Sequence, residues 1–214
     1  VTTFINHLTE QAKSKHTIVA YKKDLEQFIA FLSSKDVADV KEVKKEHIDG
    51  FIQKLLGENY TKKSASRKLN SIRTFFRYMK REDMIKQNPS LEVSHPKYTQ
   101  APPRILSKLE YRALRDFAKA DRRTYAMVEL LLQTGIRIGE LADIKVSDIS
   151  DDGLKTEGRT IPLNKAVSKA IKDYTKTRHQ SDIEHLFVTK TGRALLVRNI
   201  RSIITRCFRE VGID

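Results

Sequence analysis

Arg137 and Glu140 stand three residues apart, just past a break in an apolar run, and of the two the arginine has a side chain suited to holding a phosphate. Arginine's planar fork can give two parallel hydrogen bonds to one phosphate and never loses its charge. A carboxylate three residues on shares its helical face. On spacing alone, a solvated surface pair is the simpler account. The stretch around them is Leu130-Leu-Leu-Gln-Thr-Gly-Ile-Arg-Ile-Gly-Glu-Leu141. Met127, Val128, Leu130 and Leu131 make an apolar helical run that reaches Thr134-Gly135, and Gly135 fits a helix stop that needs φ > 0. A second helical pattern then begins, with Ile138, Leu141 and Ile144 on its inner face.

The charge balance names the class of partner. Lys and Arg number 41 against 27 Asp and Glu, a formal net charge of +14 over 214 residues. Such an excess favours a polyanion, with nucleic acid ahead of a membrane surface. No apolar run is long enough to span a bilayer, and Glu129 interrupts the most apolar one. No signal peptide or lipidation site is visible. A single cysteine, Cys207, lies on an apolar stripe with Ile200, Ile203, Ile204, Phe208 and Val211, which suits a core residue and a reducing cytoplasm. The six histidines are scattered, and no Cys/His cluster has zinc-site spacing, so no metal or cofactor is expected. The chain starts at Val1 rather than Met, which suggests trimming at that end.

Stepping along the chain, residues 1–87 read as a helical domain. Phe4, Ile5 and Leu8 mark a short amphipathic segment. A second helix runs from Thr17, its expected N-cap, to Leu32, with Ala20, Tyr21, Leu25, Phe28, Ile29 and Leu32 inward. A third covers Lys45 to Leu56. The fourth, Thr61 to about Arg81, has Ala65, Leu69, Ile72, Phe75, Phe76 and Met79 on one face. Lys63, Arg67, Asn70, Thr74, Arg77 and Arg81 fall on the other, with no acid before Glu82. A one-signed face suggests phosphate contact, against the plainer reading of a solvated basic helix.

Residues 88–105 hold Pro89, Pro96, Pro102 and Pro103 and are expected to be an extended linker, kept basic by Lys97 and Arg104. The second domain, 106–214, opens on Ser107 and Glu110, a capping box, with Leu109, Ala113, Leu114 and Phe117 as the expected stripe. Gly153 to Leu163 reads as a hairpin turning near Glu157-Gly158, Lys165 to about Thr177 as a helix, Leu186-Phe-Val188 as a short strand and Arg198 to Val211 as a basic final helix. The expected class is mainly α, with a small antiparallel sheet in the second domain.

Thr134-Gly-Ile-Arg-Ile-Gly-Glu-Leu141 closely resembles the first conserved box of the tyrosine recombinases, the phage-integrase and Xer family. Thr17…Tyr21…Asp24-Leu25…Phe28…Phe31 followed by the basic helix resembles that family's N-terminal core-binding, SAM-like domain. The resemblance covers nearly the whole chain. It implies a helical core-binding domain and a mixed α/β catalytic domain closing on duplex DNA as a C-shaped clamp. The implied reaction is metal-free strand exchange through a 3′-phosphotyrosine link. By the resemblance Arg137 matches the first catalytic arginine, Glu140 the acid that supports it, and Lys155 the hairpin lysine that protonates the leaving 5′-oxygen, although the hairpin is a residue or more short of the family pattern. A lysine on an exposed hairpin is equally a plain surface charge. DNA contacts are expected at Lys63, Arg67, Arg77, Arg81, Lys97, Arg104, Arg159, Arg198 and Arg201. Family members assemble as homo-tetramers on DNA, some with accessory DNA-bending proteins, and act in the cytoplasm on the nucleoid.

The family's remaining catalytic residues are a His-x-x-Arg box, a His or Trp, and a nucleophilic Tyr. Three residues on from His7, His16, His47, His95, His179 and His185 stand Glu10, Val19, Gly50, Tyr98, Asp182 and Val188, and Trp is absent. The last tyrosine, Tyr174, sits on an amphipathic stripe and reads as core. Gly192 to Ile213 resembles the segment that precedes the second box, so a catalytically incomplete recombinase is expected. The alternatives are a non-catalytic DNA-binding regulator, a type IB topoisomerase and, least favoured, an RNA-binding helical protein.

Overall fold

Apolar side chains at helical spacing build α1 (Thr2–Glu10), α2 (Lys15–Ser33), α3 (Lys45–Gly57) and α4 (Lys62–Arg81) in the first half of the chain. The computed structural model describes residues 1–156, 158–180 and 182–213. It divides into two compact units, Val1–Pro102 and Pro103–Asp214. In the first, Phe4, Leu25, Phe28, Ile48, Phe51, Leu55, Leu69, Ile72 and Phe76 form one buried cluster. Edge-on aromatic contacts tie its helices, with ring centroids 5.5 Å apart for Phe4–Phe75 and 5.2 Å for Phe28–Phe51.

Helix α2 starts earlier than its pattern suggests. Ser14, not Thr17, is the N-cap, and its hydroxyl accepts the Thr17 N–H at 3.1 Å. Thr17 instead exchanges a hydroxyl contact with Ser14 at 2.8 Å. Ile29 lies on the flank of the inward face and is exposed, because Asp24, Leu25, Phe28, Phe31 and Leu32 take the buried arc. The start of the proline-rich stretch packs on α4. Ser90 and Val93 are buried, and Arg73 donates to the Ser90 carbonyl at 3.2 Å and to the Val93 carbonyl.

The second unit contains α5 (Lys108–Ala118), α6 (Arg122–Thr134), α7 (Ile138–Asp143), β1 (Ile149–Ser150), β2 (Gly153–Thr156), β3 (Arg159–Ile161), α8 (Lys165–Thr175) and α9 (Val197–Glu210). The strands form an antiparallel sheet in the order β1-β2-β3, pairing Ile149 with Leu154, Leu154 with Ile161, Lys155 with Thr160 and Thr156 with Arg159. Glu157, expected at the hairpin turn, lies outside the described residues. Gly153 adopts φ +134, and a Cβ there would stand 2.3 Å from the Ile161 carbonyl oxygen, so the close approach of β2 to the end of β3 requires glycine. Met127, Leu130, Leu141, Leu154, Val167, Ile171, Phe187 and Ile200 form the core.

Two expectations need correction in this unit. Leu109, Ala113 and Phe117 do not face inward; Leu109 is 77% exposed. Helix α5 docks through Leu114 and Ala118, because Arg115 on that side pairs with the fully buried Glu129 of α6. A buried carboxylate needs its partner, so the ion pair fixes the helix's rotation and turns the Leu109 row out. Leu186-Phe-Val188 is buried but is not a strand: only isolated bridges form, Lys145 with His185 and Val188 with Ala194. Among the described residues no helix is long and apolar enough to cross a membrane.

Candidate nucleic-acid interface

The turn that carries Arg137 is built by its own backbone. Gly135 ends α6 in the left-handed region at φ 65, where an L side chain is strained. Thr134 donates its hydroxyl to the Leu130 carbonyl at 2.6 Å and accepts the Ile136 N–H at 3.2 Å. Ile136 is then buried and Arg137 turned out as the N-cap of α7. Glu140 closes the helix start by accepting the Arg137 N–H at 2.8 Å. Its carboxylate also lies 3.6 Å from the Arg137 guanidinium and 3.2 Å from that of Arg159.

The structure therefore brings Arg137, Glu140 and Arg159 together. Arg137 keeps a guanidinium that is 78% exposed, whereas Glu140 is only 24% exposed. Lys155 is not part of the group. It pairs with Thr160 on one face of the hairpin, while Thr156 and Arg159 occupy the other, as strand alternation requires. Lys155 is exposed and has no ion pair among the described residues.

Behind the turn, a polar network holds α5, α6 and α8 in place. Gln133 donates to the Tyr111 hydroxyl at 2.7 Å and accepts from Asn164, the N-cap of α8, at 3.1 Å. Buried Glu129 takes the Arg115 Nε–H and the Gln133 amide. Tyr174 is core: it stacks on Phe187 at 5.4 Å and its oxygen accepts the Val188 N–H at 3.3 Å. Burial pushes its phenol above the usual range. Cys207 is buried too, and burial raises its thiol.

The basic face of α4 is less uniform than its sequence. Arg67 gives both guanidinium nitrogens to Asp24 of α2, at 2.5 and 2.9 Å. Lys68 and Ser71 donate to the same carboxylate at 2.9 and 2.7 Å. Burial of Asp24 would raise its pKa, but the hydrogen bonds from Arg67, Lys68 and Ser71 together hold it below the usual carboxylate value. Arg81 pairs with Glu82 at 2.9 Å and reaches His7 at 3.0 Å. Lys63 and Arg77 are exposed, with no ion pair among the described residues. Lys97 and Arg198 are exposed as well, Arg104 pairs with Glu110 at 2.6 Å, and Arg201 is exposed on α9 beside Thr205. The sequence reading missed Asp24 as an anchor. The available signal was an acid inside an inward-facing apolar stripe.

Residues 1–83 match the phage integrase N-terminal SAM-like domain, and residues 104–214 match the phage integrase family. The chain belongs to the phage integrase family of tyrosine recombinases. A tyrosine recombinase of Pseudothermotoga lettingae is 31% identical over 206 residues, covering 91% of this chain and 72% of the relative. Tyrosine recombinase XerC of Thermodesulfovibrio yellowstonii is 30% identical over 233 positions, covering the whole chain and 76% of the relative. The fold is that of a lambda integrase fragment solved as a dimer bound to a COC′ core site, with a TM-score of 0.79 over the whole chain and 80% of that structure, at 20% identity.

Proposed function

We propose that this chain binds duplex DNA as part of a site-specific recombinase and presents Arg137 to the phosphate that is cut. The observation that carries this reading is the Arg137–Glu140–Arg159 group. One carboxylate is shared by two guanidinium groups, so a net positive charge is left facing solvent at a rigid helix mouth. A phosphodiester, with one negative charge shared by two non-bridging oxygens, complements it. Charge building on the phosphoryl oxygens during transfer would be stabilised by a guanidinium already in place.

In this reading Lys155 protonates the leaving 5′-oxygen, Glu140 positions Arg137 and Arg159, and an attacking tyrosine forms the 3′-phosphotyrosine link. Tyr174 is not that tyrosine, because its ring is packed in the core. The attacking hydroxyl and the His-x-x-Arg pair are supplied by residues other than these, and these 214 residues act as the phosphate-holding portion. Lys63 and Arg77 on α4, Lys97, and Arg198 and Arg201 on α9 contact backbone phosphates, with assembly into a tetramer on paired sites. The second reading, a DNA-binding regulator without cleavage, draws on the same exposed cations.

The deciding experiment is covalent capture on nicked duplex DNA, run beside the intact mass of the polypeptide. Arg137→Ala should abolish any protein–DNA adduct while duplex affinity changes little. Normal adduct formation by that variant would overturn Arg137's role. Binding without an adduct, at a mass matching these residues, favours the binding-module reading.

A further inference from the structure

At the other end of α6 from Arg137 lies a cavity of about 880 Å³, lined by Asp121, Arg122, Arg123, Tyr174, Lys190 and Arg206 among others. Thirteen helical residues separate the two ends by about 20 Å at 1.5 Å per residue, so this hollow is distinct from the Arg137 group. Its cations come from three places: the start of α6, the loop after Val188, and α9. Its one carboxylate is already engaged. Asp121 caps α6, accepting the Arg123 N–H at 3.3 Å and the Thr124 hydroxyl at 2.6 Å. Those donors are neutral, so four cationic side chains face one carboxylate and the lining keeps a net positive charge.

Two donors at the wall have no acceptor among the described residues. Arg123 gives one nitrogen to the Val188 carbonyl at 2.8 Å, but its buried Nε has no partner among the described residues. Tyr174 is 4% exposed, and its oxygen is used only as an acceptor, from the Val188 N–H. Its O–H donates no hydrogen bond among the described residues. A buried donor without an acceptor is costly, as is a group of like charges drawn to one hollow. Both costs are offset by an anion rich in acceptor oxygens. We infer that this cavity is a phosphate-binding site, in which Lys190 and Arg206 supply charge at the mouth, and Arg123 and the Tyr174 hydroxyl form the back wall. The phosphoryl group could belong to a free phosphate or oligophosphate, or to the backbone of a DNA segment away from the Arg137 group.

The test is an amide-resolved NMR titration of the full chain with inorganic phosphate and with pyrophosphate, at an ionic strength held constant with chloride. Resonances of Arg123, Thr189 and Lys190 should shift saturably. The double variant Lys190→Ala, Arg206→Ala, which alters only exposed side chains, should weaken the binding by about tenfold or more. Tyr174→Phe should weaken it too, and its retained ring stacking is checked by its thermal midpoint. Saturation by the free anions assigns a small ligand. If the free anions give none but a duplex oligonucleotide shifts the same resonances, and the double variant loses that response, the ligand is a backbone phosphate. If neither probe shifts these resonances, or the double variant responds as the parent does, the site does not exist. Arg137→Ala should leave the response intact, which separates this proposal from the function assigned to the Arg137 group.

Discussion

Arg159 places one guanidinium nitrogen between both oxygens of Glu140, 3.2 Å from one and 3.3 Å from the other. This joins the third strand to the first turn of α7. The same carboxylate accepts the Arg137 backbone N–H, so one residue sets the start of the helix, the orientation of an arginine and the position of the hairpin. The sequence places Arg159 among the phosphate contacts. The geometry gives it a protein partner, and any phosphate it meets must share it with Glu140.

Glu140→Gln separates the capping role from the charge. Glutamine keeps an oxygen to accept the Arg137 N–H but cannot balance two guanidinium groups. Stability should fall by about 1 kcal/mol or less, since the ion pairs are partly solvated. In a cleavage-competent form of the protein, the cleavage rate should fall by about tenfold or more, as when a supporting partner is lost around a catalytic group. Duplex affinity should hold. An unchanged cleavage rate would reduce Glu140 to a helix cap.

Two of the basic residues of α4, Arg67 and Arg77, should behave differently. Arg67→Ala leaves Asp24 buried with fewer donors and should destabilise the first unit by about 1–3 kcal/mol. Arg77→Ala touches no ion pair among the described residues and should leave stability within about 0.5 kcal/mol. If Arg77 meets one phosphate, its loss should flatten the slope of log affinity against log salt by about 0.9. Anisotropy titrations over a salt series, paired with thermal melts, read both quantities. An unchanged slope for Arg77→Ala would make that face merely solvated.

The sequence was most legible where local chemistry decides. The Ser107–Glu110 capping box forms as expected, with the Glu110 N–H 3.2 Å from the Ser107 hydroxyl and the Ser107 N–H 2.7 Å from the Glu110 carboxylate. Gly135 takes the left-handed conformation its position demanded. What could not be seen was which charge meets which across helices. The face of α4 looked one-signed because its acid, Asp24, sits 43 residues from Arg67 on another helix. The rotation of α5 was misread for the same reason: Arg115 finds Glu129, and that pair outranks the exposed Leu109 row. Periodicity counts apolar residues and is blind to a buried ion pair. The group around Arg137 was half legible, since Glu140 is local and Arg159 arrives through the sheet.

Lys155 carries a prediction that geometry alone does not fix. It is exposed on the hairpin face opposite Arg159, so it is free to meet a DNA strand laid over the sheet. If it protonates the leaving 5′-oxygen, Lys155→Ala should slow cleavage by about a hundredfold or more in a cleavage-competent form. A 5′-thio leaving group, which departs without a proton, should restore the rate. Failure of that rescue would leave Lys155 as a phosphate contact or a surface charge.

Asp24 sets the response of the first unit to acid. Its folded pKa lies below the ordinary value of 3.8, because the Arg67, Lys68 and Ser71 hydrogen bonds outweigh the cost of burial. A depressed carboxylate contributes stability that is fully present above its unfolded pKa of about 3.9 and is lost as pH falls through the folded value. Above about pH 5 the contribution should be flat; below about pH 4 the unfolded chain binds the proton first and stability should fall. Amide hydrogen exchange in α2 and α4, followed as pH is lowered, reads this locally and independently of the second unit. Asp24→Asn removes the titrating group and faces Lys68 with an amide, so it should cost about 3 kcal/mol at neutral pH and remove this part of the acid dependence. If the variant keeps the parent's acid profile, the lost stability comes from other carboxylates, and the four hydrogen bonds to Asp24 position α2 on α4 without governing its response to pH.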